Sequence, residues 1–226
     1  WISAYLMSKL NPQQFVQMLR DFGINSPDIH ASMSLCLGPC EVSVSEMVSA
    51  YTAFANHGIR TSPMFVSRIE DNEGNTLATF QPRMNEVIGA ENAMKMLTML
   101  MGVVDGGTAG RLRYRYNLEG QIGAKTGTTN NNSDGWFIGF TPQLVSGCWV
   151  GGEERDIHFD SMSMGQGATM ALPIWAIFMK KVYADPTLGI RPDVKFDLPD
   201  GYNPCYKPKS DQDDFEQVDG IDEVFE

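Results

Sequence analysis

Histidine and cysteine are scarce in this chain, and their spacing gives a metal site little to stand on. Three histidines, His30, His57 and His158, are scattered through 226 residues with no H-E-x-x-H among them. That leaves no helix face carrying two imidazoles as metal ligands. The four cysteines, Cys36, Cys40, Cys148 and Cys205, form no set of C-x-x-C pairs, so neither a zinc site nor any other cofactor is expected. Cys36 and Cys40 flank the turn-forming Leu37-Gly38-Pro39; a bridge and free thiols are equally open there. Cys148 lies in an apolar strand and reads as a small buried hydrophobe. His57, in Asn56-His57-Gly58, reads as a turn residue.

Positive charge is also in deficit. Seventeen Lys and Arg face 28 Asp and Glu, a net charge of -11. A nucleic-acid partner is not expected, because phosphate binding needs a basic surface. Eight of the acids fall between Asp211 and Glu226, where no base occurs. Without that stretch, 20 acids oppose 17 bases, close to neutrality. Its composition predicts a solvated tail without fixed structure. Long apolar runs are missing too. The longest, 168–182, falls short of the roughly 20 residues a membrane helix needs and ends at Lys180-Lys181. No internal repeat occurs.

What is present suits one domain, or a large piece of one, with enough apolar content for a core. The chain opens at Trp1 inside a helical pattern, so we expect sequence upstream of it. Asn11-Pro12 splits two short helices; Asn11 caps and Pro12 fits the first helical position. Phe15, Val16, Met18, Leu19 and Phe22 then form one stripe ended by Gly23. Residues 24–40 read as loop. Ser43 and Glu46 make a capping box that starts a helix ending near Gly58. Met64–Ile69 and Thr76–Phe80 flank the turn Asp71-Asn72-Glu73-Gly74-Asn75 and predict a hairpin. Ala90 to Val104 returns to helical spacing, its Met94, Leu97, Leu100 and Met101 filling core. Gly106-Gly107-Thr108-Ala109-Gly110 follows a helix rather than a strand, so it reads as a helix stop and flexible connection, not a phosphate loop.

Residues 121–151 predict three consecutive strands: one through Lys125-Thr126-Gly127-Thr128, one over 135–140, and one over 144–150. The tight Thr141-Pro142-Gln143 makes the last two an antiparallel hairpin. Asn130-Asn131-Asn132-Ser133-Asp134 reads as the preceding turn, without a catalytic role. A final helix is predicted from Ala168 to Tyr183, with Pro173 near its start.

A K-T-G on a strand is one of three motifs used by serine acyl-transferases that attack peptides and β-lactams. The other two, S-x-x-K with the nucleophile and S-x-N, occur nowhere in this sequence. Lys125-Thr126-Gly127-Thr128-Thr129, then Asp134, Trp136-Phe137 and Gly139-Phe140-Thr141-Pro142, resembles the transpeptidase domain of class A, bifunctional penicillin-binding proteins. Ser49-Ala50-Tyr51, Phe54-Ala55-Asn56 and Ala171-Leu172-Pro173-Ile174-Trp175 are similar to the same family. The resemblance covers most of residues 1–185, and Trp1 resembles the point just past the family's S-x-N motif.

The resemblance implies an α+β fold with a five-stranded antiparallel sheet flanked by helices, of which this chain supplies three strands. Residues 1–185 are then the C-terminal part of the transpeptidase domain, 186–210 an extension and 211–226 the acidic tail. The implied reaction is D,D-transpeptidation. A serine attacks the D-Ala-D-Ala carbonyl of a peptidoglycan stem peptide, and an amine from a neighbouring strand releases the acyl-enzyme as a cross-link. β-Lactams stall at the acyl stage.

In that scheme Lys125 is catalytic, a cation in the cleft. Thr126, Gly127 and Thr128 bind substrate: the first by its hydroxyl, the second by leaving room, the third by its backbone N–H in the oxyanion hole. The missing half of the domain is an implied partner and supplies the nucleophile, so this chain alone is expected to be inactive. An upstream glycosyltransferase and membrane anchor, and an extracytoplasmic place in the bacterial envelope, are also implied. A β-lactam sensor of the same fold, or a degenerate non-enzymatic domain, is the other reading.

Overall fold

The computed structural model describes residues 2–199 and Tyr202; the acidic tail lies outside the described residues. Seven α-helices and seven strands occur there: α1 Ile2–Ser8, α2 Pro12–Asp21, α3 Val44–Ala55, β1 Ile59–Thr61, β2 Arg68–Glu70, β3 Thr76–Thr79, β4 Met84–Glu86, α4 Ala90–Asp105, α5 Arg111–Tyr114, β5 Gly123–Thr128, β6 Asp134–Phe140, β7 Val145–Gly151, α6 Met162–Gly165 and α7 Gly167–Ala184.

The local signals act as expected. Asn11 Oδ1 accepts from the N–H groups of Gln13 and Gln14, with Pro12 at the first position of α2. Ser43 Oγ accepts from the Glu46 N–H, 3.2 Å, while Glu46 Oε2 accepts from the Ser43 N–H, 2.9 Å. Such caps stabilise a helix by roughly 0.5–2 kcal/mol. Glu46 Oε1 also accepts from the Asn25 N–H at 2.9 Å, tying α3 to the segment after α2. Met33–Leu37, inside the stretch read as loop, is a turn of 3-10 helix. Cys36, Cys40 and Cys148 are free and half-buried, and His57 takes a turn conformation at φ +51°.

The predicted hairpin is β2 with β3, shorter on its first arm than the sequence suggested. A second pairing, β1 with β4, was not foreseen. The three-stranded sheet is β5-β6-β7, antiparallel throughout. One face meets α7. There Phe137 packs edge-on against Trp175, with ring centroids 5.3 Å apart, within a core that includes Leu112, Ile122, Leu172 and Met179. Burying each such side chain contributes roughly 1.5–3 kcal/mol. The other face meets α3 and α4, where Phe140 clusters with Leu97, Leu100 and Phe196. The segment after α7 thus returns to the sheet, and the Phe196 N–H donates to Gln121 Oε1, 2.7 Å.

The sheet is thin by composition. Each strand carries two glycines four residues apart. Gly135 of β6 lies against the start of α7 so closely that an added Cβ would stand 2.9 Å from Gly167 Cα. The Met170 methyl lies at the same spot, and at Gly167 an added Cβ would run into the Gly127 and Trp136 carbonyl oxygens, so helix and sheet backbones come close there.

Candidate functional site

The sequence-predicted site residues all lie on β5, which is the outer strand of its sheet. The pairing register fixes where each one points. The Thr129 N–H donates to the Asp134 carbonyl at 3.2 Å, and the same register pairs Gly127 with Trp136 and Lys125 with Ile138. Antiparallel ladders alternate between bonded and non-bonded pairs. Lys125 and Gly127 therefore exchange backbone bonds with β6. Ala124, Thr126 and Thr128 turn their N–H and C=O groups away from it. The Thr141 N–H to Leu144 carbonyl bond, 2.9 Å, gives β6–β7 the complementary phase.

Side chains alternate across the same pleat. Lys125 and Gly127 share the face that meets α3 and α4; Thr126 and Thr128 share the α7 face. The exposed Lys125 ammonium folds to the strand edge and donates to the Thr126 carbonyl, 2.7 Å. Thr128 Oγ1 accepts from the Gly167 N–H, 3.0 Å, which joins the end of β5 to the start of α7. At Gly127 an added Cβ would lie 3.0 Å from Trp136 Cβ. The close neighbour at this glycine is thus the adjoining strand.

One participant was missed by sequence reasoning. Thr108 Oγ1 lies 2.9 Å from Thr126 Oγ1. The segment read as a flexible connection is a clipped turn. Arg113 Nη2 meets Asp105 Oδ1 at 2.8 Å across it, and Arg111 Nη1 donates to the Ala168 carbonyl at 3.1 Å. No sequence signal joins Thr108 to Thr126, because a single hydroxyl eighteen residues away carries no motif.

The turn after β5 holds Asn131 and Asn132 at φ +60° and +57°, a region asparagine tolerates better than most residues. Thr129 Oγ1 accepts from the Asp134 N–H, 2.9 Å. Asp134 Oδ1 is buried with no partner among the described residues.

An antiparallel sheet with K-T-G on its outer strand and a long helix across one face places the chain in the α+β class of penicillin-binding and β-lactamase-like folds. Residues 1–147 match the family described as the penicillin binding protein transpeptidase domain. The chain belongs to that family. It is 35% identical over 185 residues to penicillin-binding protein 1A of Neisseria meningitidis, covering 79% of this chain and 22% of that protein. It is 33% identical over 194 residues to penicillin-binding protein 1A of Aquifex aeolicus, 86% of this chain and 25% of the relative. The chain therefore spans about a quarter or less of these relatives.

Among solved structures, penicillin-binding protein 1A from Haemophilus influenzae superposes with a TM-score of 0.75 at 25% identity, over 88% of this chain and 34% of that one. The PonA1 protein from Mycobacterium tuberculosis in complex with penicillin V gives a TM-score of 0.72 at 24% identity, over 91% and 59%. The latter shows likeness of fold.

Proposed function

We propose that this chain forms the K-T-G wall of a peptidoglycan D,D-transpeptidase of the class A type, and that the intact protein is acylated by β-lactams. The observation that carries the reading is the edge of β5. There a lysine, a threonine hydroxyl and outward backbone groups converge on a strand with no partner on that side among the described residues. Such an edge suits an extended peptide laid alongside as an added strand.

In this reading the serine nucleophile and its lysine come from upstream sequence. Lys125 leaves the Thr126 carbonyl to face the ligand carboxylate and the reacting serine, where a fixed cation favours developing negative charge. The Thr126 hydroxyl donates to the ligand carboxylate. The outward N–H of Thr128 supplies one oxyanion-hole donor, the other being the backbone N–H of the serine. Gly127 keeps β5 close to β6 and the cleft face clear. The acyl-enzyme passes to an amine of a neighbouring strand. The setting is the outer side of the bacterial inner membrane, with an anchor and a glycosyltransferase upstream.

The test is covalent labelling with a fluorescent penicillin. The intact protein is expected to give a stoichiometric band, and the 226-residue chain none. A stoichiometric band on the isolated chain would place the nucleophile within it and overturn the assignment.

A further inference from the structure

The hydroxyl pair between Thr108 and Thr126 has a consequence for ligand recognition. A threonine hydroxyl holds one proton and two lone pairs and rotates to suit its surroundings. At 2.9 Å, one of the two donates to the other. If Thr126 donates to Thr108, its only proton is spent inside the protein. If Thr108 donates, a lone pair of Thr126 is filled and its proton is free to point along the strand edge. A carboxylate accepts hydrogen bonds and donates none, so it selects the second arrangement. Chained hydrogen bonds of that sense also polarise one another in the favourable direction.

Thr108 is held firmly enough to act in this way. Its neighbour Ala109 is fully buried and donates its N–H to the Val103 carbonyl, 2.9 Å. The Gly110 N–H donates to the Gly107 carbonyl, 3.1 Å. At Gly107 an added Cβ would sit 2.9 Å from the Val103 backbone, so the turn closes tightly on the end of α4. The Asp105–Arg113 pair spans the turn, Arg113 Nη1 donates to the Leu118 carbonyl at 2.9 Å, and Arg111 reaches α7.

We propose that Thr108 is a positioning residue: it donates to Thr126 and so directs the Thr126 proton to the carboxylate of the bound peptide or β-lactam. The inference rests on the transpeptidase reading above and adds a residue outside the K-T-G motif to carboxylate recognition.

The experiment uses the intact protein that carries this chain. Second-order acylation rates are measured with benzylpenicillin and with its methyl ester, in which the carboxylate is capped. Thr108→Val is expected to slow acylation by the acid by about two- to tenfold, the scale of one hydrogen bond between neutral groups, and to leave the ester rate unchanged. Thr108→Ser, which keeps the hydroxyl, is expected to restore the acid rate. Equal slowing of acid and ester in Thr108→Val would show a purely structural role and overturn the proposal, as would no slowing of either. Thr126→Val separates the two levels. If it slows the acid selectively while Thr108→Val does not, only the role of Thr108 falls. If Thr126→Val leaves the acid rate unchanged, the K-T-G assignment falls with it.

Discussion

Gly139 lies directly beneath the indole of Trp175: a Cβ added to the glycine would stand 2.5 Å from two atoms of the ring. The same indole donates its Nε1–H to Ser146 Oγ at 2.7 Å and packs edge-on against Phe137. One tryptophan on α7 is thus seated in β6 by an absent side chain and latched to β7 by a hydrogen bond. That seat is one of the contacts that fix the sheet against α7.

Gly139→Ala is accordingly expected to destabilise the protein by about 1–3 kcal/mol, the usual scale of overpacking. Ser146→Ala, which leaves a buried indole N–H without its acceptor, is expected to cost about 1–3 kcal/mol. Urea unfolding followed by tryptophan fluorescence measures both. Wild-type midpoints in either variant would remove the seat as a structural determinant.

Lys125→Ala in the intact protein is expected to lower the second-order acylation rate by about 10²–10³, as for loss of one fixed electrostatic stabiliser. The thermal midpoint should stay close to wild type, since the side chain is exposed. Stopped-flow acylation and thermal unfolding of the same preparation decide the matter. An unchanged rate would leave the resemblance as one of fold.

Gly127→Val and Thr126→Val should divide in the opposite sense. The first drives a branched side chain into Trp136 and is expected to lower both stability and acylation. The second removes a hydroxyl at a half-buried site and is expected to reduce acylation while largely sparing the fold. Comparing thermal midpoints with acylation rates across the pair tests this, and a fold equally damaged by Thr126→Val would count against it.

Glu46 predicts a pH dependence. Partial burial pushes its carboxyl upward, but hydrogen bonds from the N–H groups of Ser43 and Asn25, the Ser43 hydroxyl and the nearby Arg20 outweigh that and hold it below its ordinary value. A carboxylate depressed in the folded state adds stability above its unfolded pKa, and that stability is lost as pH falls through the folded value. Glu46→Ala should therefore unfold more easily than wild type at neutral pH. The difference should shrink toward zero below the ordinary carboxylate range. Denaturant midpoints across pH 2–7 would show the two curves converging; parallel curves would exclude the carboxylate as the cause.

Local signals are legible in this sequence and distant ones are not. The caps at Asn11 and Ser43 are legible because both partners lie within three residues of each other. The β5-β6-β7 sheet is legible because its strands are consecutive and its turns short. β1 and β4 escaped notice because Ile59-Arg60-Thr61 and Met84-Asn85-Glu86 are three residues each, lack alternation and meet across an intervening hairpin. Lys125 to Thr128 stood out because a motif joins them on one strand. Thr108 did not, because only the closing of the Asp105–Arg113 turn brings its hydroxyl to Thr126.

The contact of Gly135 with Gly167 has a mechanical consequence. Side-chain layers give when pushed, because rotamers shift; closely approaching backbones give less. Behind the K-T-G strand the sheet is braced against α7 at that point, and the Gly167 N–H to Thr128 bond pins the strand end to the same helix. Anything pressed against this strand meets a stiff surface. If this strand is the wall proposed above, the room a bulky ligand needs has to come from the other side of the site.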